Sequence, residues 1–119
     1  MTARLADIAH GRSGDKGKHA NVAVIAYTSA GYTWLREHLT AEAVGSWFAR
    51  LGPSRVERYE APNLLGLNFL LHDVLGGGAS TSLRTDTQGK TLALALLQMP
   101  LPELHGIEQM RRPPAGGKL

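Results

Sequence analysis

The segment "HGRSGDKGKHAN", residues 10–21, holds three glycines, two lysines, an arginine, an aspartate and a serine directly before the apolar run "VAVIAY". Read as a loop, it lets backbone N–H groups at Gly11, Gly14 and Gly17 converge into a nest, which Arg12 and Lys16 complete as a site for phosphate or carboxylate. The spacing is not that of a Walker motif. Asp15 can orient these cations or act as a base; equally, it can make a local turn hydrogen bond with the backbone. Ser13 lacks the strand–turn–helix setting of a hydrolase nucleophile. The segment offers Arg12, Ser13, Gly14, Asp15, Lys16, Gly17 and Asn21 to a ligand or partner. The competing reading is a solvated hairpin end.

A second group is "LGGGASTSLRTD", residues 75–86. A glycine after a helix is most often a C-cap, which accounts for one of Gly76, Gly77 and Gly78. The other two point to close approach by a backbone or ligand. Ser80 and Ser82 supply hydroxyls, and Arg84 can make a bidentate contact to an anion. The commoner fate of such an arginine is a pairing with Asp86 or Glu60. Asn68 and His72 stand four apart and share a face of any helix over this stretch, which is either its wet side or a proton-transfer surface. His72 and Asp15 are therefore the candidate catalytic residues, with His10 weaker. The five histidines show no ligand spacing and there is no cysteine, so neither a metal nor a tightly bound cofactor is expected.

These residues belong to a chain of 119, enough for one core. No apolar run is long enough to span a bilayer. The start "MTARLADIAH" has none of the features of a secretory signal, so the cytoplasm is the expected compartment. The formal charge of +3 resides in "QMRRPPAGGKL": without Arg111, Arg112 and Lys118, ten basic and ten acidic residues remain. A phosphate-backbone binder concentrates basic residues on a folded face, so nucleic acid is not an expected partner. One domain over residues 1–108 and a mobile basic tail over 109–119 are expected.

Strands are expected at 4–9, 22–27 and 55–60. Helices are expected between Ser29 and Gly52, capped by Thr40, and again from Pro62 to the glycines at 76. A hairpin built from "TSLRT", "DTQG" and "KTLALALLQM" closes the chain, with Leu92, Leu94 and Leu96 pointing inward. This is an α+β order: a ferredoxin-like sandwich with a mostly antiparallel sheet and helices on one face.

The segments "RSGDKGKHANVAVIA" and "GLNFLLHDVLGGGASTSLRTDTQGKTLALALL", joined by "VERYEAPNL", resemble the C-terminal ferredoxin-like domain of the acyclic terpene utilisation (AtuA) proteins. The resemblance runs from Leu5 to about Met99. Lys18 stands where the family has an acidic or small polar residue, and Ala79 replaces the last glycine of the run. In that family the domain follows a much larger one in the same polypeptide. The resemblance implies a small subunit whose larger AtuA-type partner is a separate chain, and catabolism of branched or terpenoid acids with a coenzyme A thioester as substrate. A purely structural interaction module and an autonomous ligand-binding protein or enzyme are the alternatives, and a homo-oligomer stays open. If the 11–20 and 76–82 segments meet at one end of the sheet, they form one concave anion site.

Overall fold

The computed structural model describes residues 3–74 and 88–112. Four strands form one antiparallel sheet: β1 (Ala9–Lys16), β2 (His19–Ala26), β3 (Val56–Ala61) and β4 (Gly66–Leu71), in the spatial order β1-β2-β4-β3. Three helices, α1 (Ser29–His38), α2 (Ala41–Trp47) and α3 (Gln88–Leu97), pack on one face of the sheet. The fold is thus α+β, with helices on one side as expected.

Alternation in β2 sets the two faces. Ala20, Val22, Val24 and Ala26 are buried, while His19, Asn21, Ala23 and Ile25 between them are half-buried. Register carries the division outward: Val22 lies opposite Phe69 and Val24 opposite Leu67, so the inner row of β4 is Leu67, Phe69 and Leu71. Successive side chains of a strand point to opposite faces. Leu35, Leu39, Val44, Leu92 and Leu96 close the core from the helices.

The glycine-rich segment is not a loop. Residues 9–16 form β1, fully paired with β2, and only Gly17 and Lys18 turn the hairpin. Gly17 has φ +61° and Lys18 is not among the positive-φ residues, the φ pattern of a type II′ turn with glycine first. Gly11 serves close packing, since a Cβ there would lie 2.7 Å from the Ala23 carbonyl oxygen and 3.6 Å from Ala93. The segment is therefore a hairpin, with Gly17 and Lys18 exposed at its tip. The N–H nest at Gly11 and Gly14 does not form, because their backbone lies in a β-ladder.

Three further expectations are corrected. The strand placed at 4–9 is a 3-10 turn over Leu5–Asp7, fixed by the Arg4 N–H donating to the Asp7 carboxylate at 2.7 Å, and β1 begins only at Ala9. The helix placed from Pro62 onward stops after Pro62–Leu64: Leu65 takes a left-handed φ of 56°, and β4 follows. The strand placed in "KTLALALLQM" is α3, and "DTQG" cannot be its hairpin because Gln88 and Gly89 open that helix. Leu92 and Leu96 are buried, whereas Leu94 is 63% exposed. "TSLRT" lies outside the described residues.

The helical expectations for 29–52 hold. The Thr28 and Thr40 hydroxyls accept from the N–H groups of Gly31 and Ala43, each at 3.0 Å, and the turn after α2 ends at Gly52. Toward the C-terminus, Met110 packs against the core and Arg111 pairs with Asp7 at 3.7 Å. Folded structure therefore extends past the expected boundary at 108.

Candidate functional site: the open face of the sheet

All three helices lie against the Val22–Phe69 side, which leaves the opposite face of the sheet without a covering element among the described residues. Register lays this face out as a grid. Arg12 of β1 lies beside Ala23, then Asn68, then Tyr59; Gly14 lies beside Asn21, then Leu70, then Glu57. Lys16 pairs with His19 at the hairpin end. Of the residues singled out from sequence, Arg12, Gly14, Lys16, Asn21 and Asn68 are thus brought to one face, and His72 continues its β4 row.

Ser13 and Asp15 fall on the other parity. The Ser13 hydroxyl accepts from the Ala93 N–H at 3.1 Å, so its role is to hold α3 on β1. Asp15 is exposed, on the helix side of the strand. It does not share a face with Arg12. Gly17 is a turn residue. Gly76, Gly77, Gly78, Ser80, Ser82 and Arg84 lie outside the described residues, and with them the expected meeting of the two glycine-rich segments. β4 runs toward the hairpin tip, since Leu71 lies opposite Ala20 and Lys18 pairs with Asp73 at 3.8 Å.

The densest polar cluster sits at this end of the open face. His72 Nε2 lies 3.0 Å from Glu57 Oε1, with the imidazole side chain 15% exposed. The Tyr59 hydroxyl donates to the same oxygen at 3.1 Å, and Arg55 approaches the other oxygen at 3.4 Å. Hydrogen bonds from His72 and then Tyr59, with the Arg55 charge nearby, hold the Glu57 carboxyl below the usual glutamate range. The same contact with Glu57 raises the Tyr59 phenol. His19 meets His72 edge-on, ring centroids 4.7 Å apart, and its Nδ1 accepts from the Asp73 N–H at 3.1 Å. Asp73 accepts from the Ser54 hydroxyl, which, with Lys18, His19 and His72 nearby, lowers its carboxyl. Asp73 has φ +64°, a conformation that Asp adopts more readily than most residues.

The model of the AtuA ferredoxin-like domain matches residues 3–102. The chain belongs to this family. No curated protein and no solved structure gives a significant match.

In this AtuA ferredoxin-like domain, therefore, the family and the fold class read from the sequence both stand. Among the described residues no helix is long and apolar enough to cross a membrane, and no group of three or more metal-ligating side chains is found. The sequence reading missed Glu57, Arg55, Tyr59 and His19 as neighbours of His72. The signal was the period of two in "VERYE", which puts Glu57 and Tyr59 on one face, and in "GLNFLLH", which puts Asn68, Leu70 and His72 on another side from Leu67, Phe69 and Leu71.

Proposed function

We propose that this AtuA ferredoxin-like domain works as an accessory unit of a larger AtuA-type chain, in cytoplasmic catabolism of branched or terpenoid acyl-coenzyme A thioesters. Its open sheet face is the surface that completes the ligand site or the interface. One observation carries the reading: Arg12, Asn21, Asn68, Tyr59 and the His72–Glu57 pair share a face that no helix among the described residues covers. A sheet face bearing polar side chains at regular spacing, with half-buried Ala23, Ile25 and Leu70 between them, suits contact with another chain. The body has no formal net charge outside the three C-terminal basic residues, which argues against nucleic acid as the occupant. A homo-oligomer through the same face is the competing assembly.

Affinity purification of the tagged chain from its native host tests the proposal. Retention of a larger AtuA-type chain, followed by thioester binding to the complex, is the expected result. Recovery of the protein alone, with no affinity for that larger chain in a direct titration, rejects it. If the domain is a purely structural module, Arg12→Ala loses assembly. If it completes a site as well, the complex assembled at saturating concentration has lost turnover.

A further inference from the structure

Four side chains from separate parts of the sequence converge where β3, β4 and the hairpin meet: Arg55, Glu57, His72 and His19. Hydrogen-bond chemistry fixes how the central pair is arranged. An ionised carboxylate only accepts and a guanidinium only donates. His72 Nε2 is 3.0 Å from Glu57 Oε1, and Arg55 is 3.4 Å from both that nitrogen and Glu57 Oε2. The proton therefore sits on Nε2, donated to Glu57, while Arg55 pairs with the second carboxylate oxygen. A neutral imidazole with its proton on Nε2 carries its lone pair on Nδ1. Among the described residues both polar contacts of the ring run through Nε2, and in this tautomer the one to Glu57 is the hydrogen bond.

We propose that His72 is a general base, positioned by Glu57, that removes the acidic α-proton of an acyl thioester at the open face of the sheet. The substrate class rests on the thioester reading above; the pairing rests on the geometry alone. In the step, Nδ1 takes the proton from Cα. The electron pair of the broken C–H bond moves into the thioester carbonyl, giving an enolate, for which Arg55 is the cation of the cluster. Return of a proton from Nδ1 to Cα restores both partners, so no oxidant or co-reactant is needed. Glu57 touches no substrate. It fixes the tautomer and stabilises the imidazolium formed in the step, the work a carboxylate does behind a histidine base. Two donors on Glu57, from His72 and Tyr59, with the Arg55 charge paired to its other oxygen, keep it available as that acceptor.

The test is α-deuteration of isovaleryl-coenzyme A in D2O, followed by mass spectrometry, using the full chain together with any larger chain that co-purifies with it. Exchange is expected with the unaltered protein. His72→Gln is expected to lower its rate by about 10²–10⁴-fold, the usual contribution of a positioned acid or base. Glu57→Gln is expected to lower it by about tenfold or more without changing the KM for the thioester. Nitrogen-15 spectra should show His72 protonated at Nε2, with that preference weakened in Glu57→Gln, which a merely structural contact at Glu57 would not require. Thermal unfolding confirms that both variants are folded. Unchanged exchange in folded His72→Gln, a His72 protonated at Nδ1, or no exchange by the unaltered protein overturns the proposal. If thioester still binds in these cases, the accessory-unit reading survives; if neither thioester nor a larger chain binds, that reading fails as well.

Discussion

The Ser13 hydroxyl accepts a hydrogen bond from the Ala93 N–H at 3.1 Å, joining the first strand to the last helix across 80 residues of sequence. Beside it, Gly11 lets Ala93 approach β1 closely. Two residues that look like parts of a ligand loop thus fasten α3 to the sheet. Ser13→Ala is expected to lower stability by about 1 kcal/mol, the usual net worth of such a bond, with no loss of binding to a larger chain. Urea unfolding and a binding titration on the same preparation measure the two effects separately.

Gly11→Ala should be the more damaging change. The new Cβ would lie 2.7 Å from a backbone oxygen, which has no rotamer by which to move aside. A loss of about 1–3 kcal/mol is expected from overpacking of this kind, read from the urea midpoint. An unchanged midpoint would mean that β1 does not pair with β2 in the register described.

Leu94 and Leu96 test the helix against the strand read from sequence. A strand would point Leu92, Leu94 and Leu96 to one side, whereas α3 buries Leu92 and Leu96 and leaves Leu94 exposed. Leu96→Ala is expected to cost about 2–5 kcal/mol, and Leu94→Gln within about 0.5 kcal/mol of nothing. Equal losses at both positions would favour the strand.

Glu57 and Asp73 give the acid side of the stability profile a definite sign. Hydrogen bonds from His72 and Tyr59 to Glu57, and from Ser54 to Asp73, lower both carboxyls in the folded state. A group so lowered stabilises the fold above its unfolded pKa, and that contribution disappears as pH falls through the folded value. Thermal midpoints should therefore drop as pH falls through and below the ordinary carboxylate range. The drop should be smaller in Glu57→Gln and in Asp73→Asn. A profile identical in all three proteins contradicts the contacts.

How the sequence spoke of these features depended on which physical rule dominated locally. The helices over 29–51 were legible because the hydroxyl cap at Thr40 and the stop at Gly52 act over three or four residues. β1 was not: "AHGRSGDK" has poor β-propensity, and its extended form comes from pairing with β2, a tertiary effect no local pattern carries. "LALALL" alternates as a strand does, yet Leu and Ala are strong helix formers, and α3 buries Leu92, Ala93, Leu96 and Leu97. For His72 the spacing from Asn68 puts the two on one face in a helix and in a strand alike, so the shared face was found while the element was mistaken. Its partner Glu57 lies opposite Leu70 on the neighbouring strand. Only the register brings it there.

The central claim is that the open face of the sheet, and not the helix side, is the working surface. The most direct measurement is calorimetric titration of the larger AtuA-type chain with the unaltered domain, with Arg12→Glu and Asn68→Arg on the open face, and with Arg50→Glu on the exposed turn after α2. Each variant is first shown by thermal unfolding to be folded. A Kd raised about tenfold or more by each open-face change, equivalent to about 1.4 kcal/mol, and left unchanged by Arg50→Glu, is the predicted result. Full affinity in Arg12→Glu and Asn68→Arg, or a loss confined to Arg50→Glu, would contradict it.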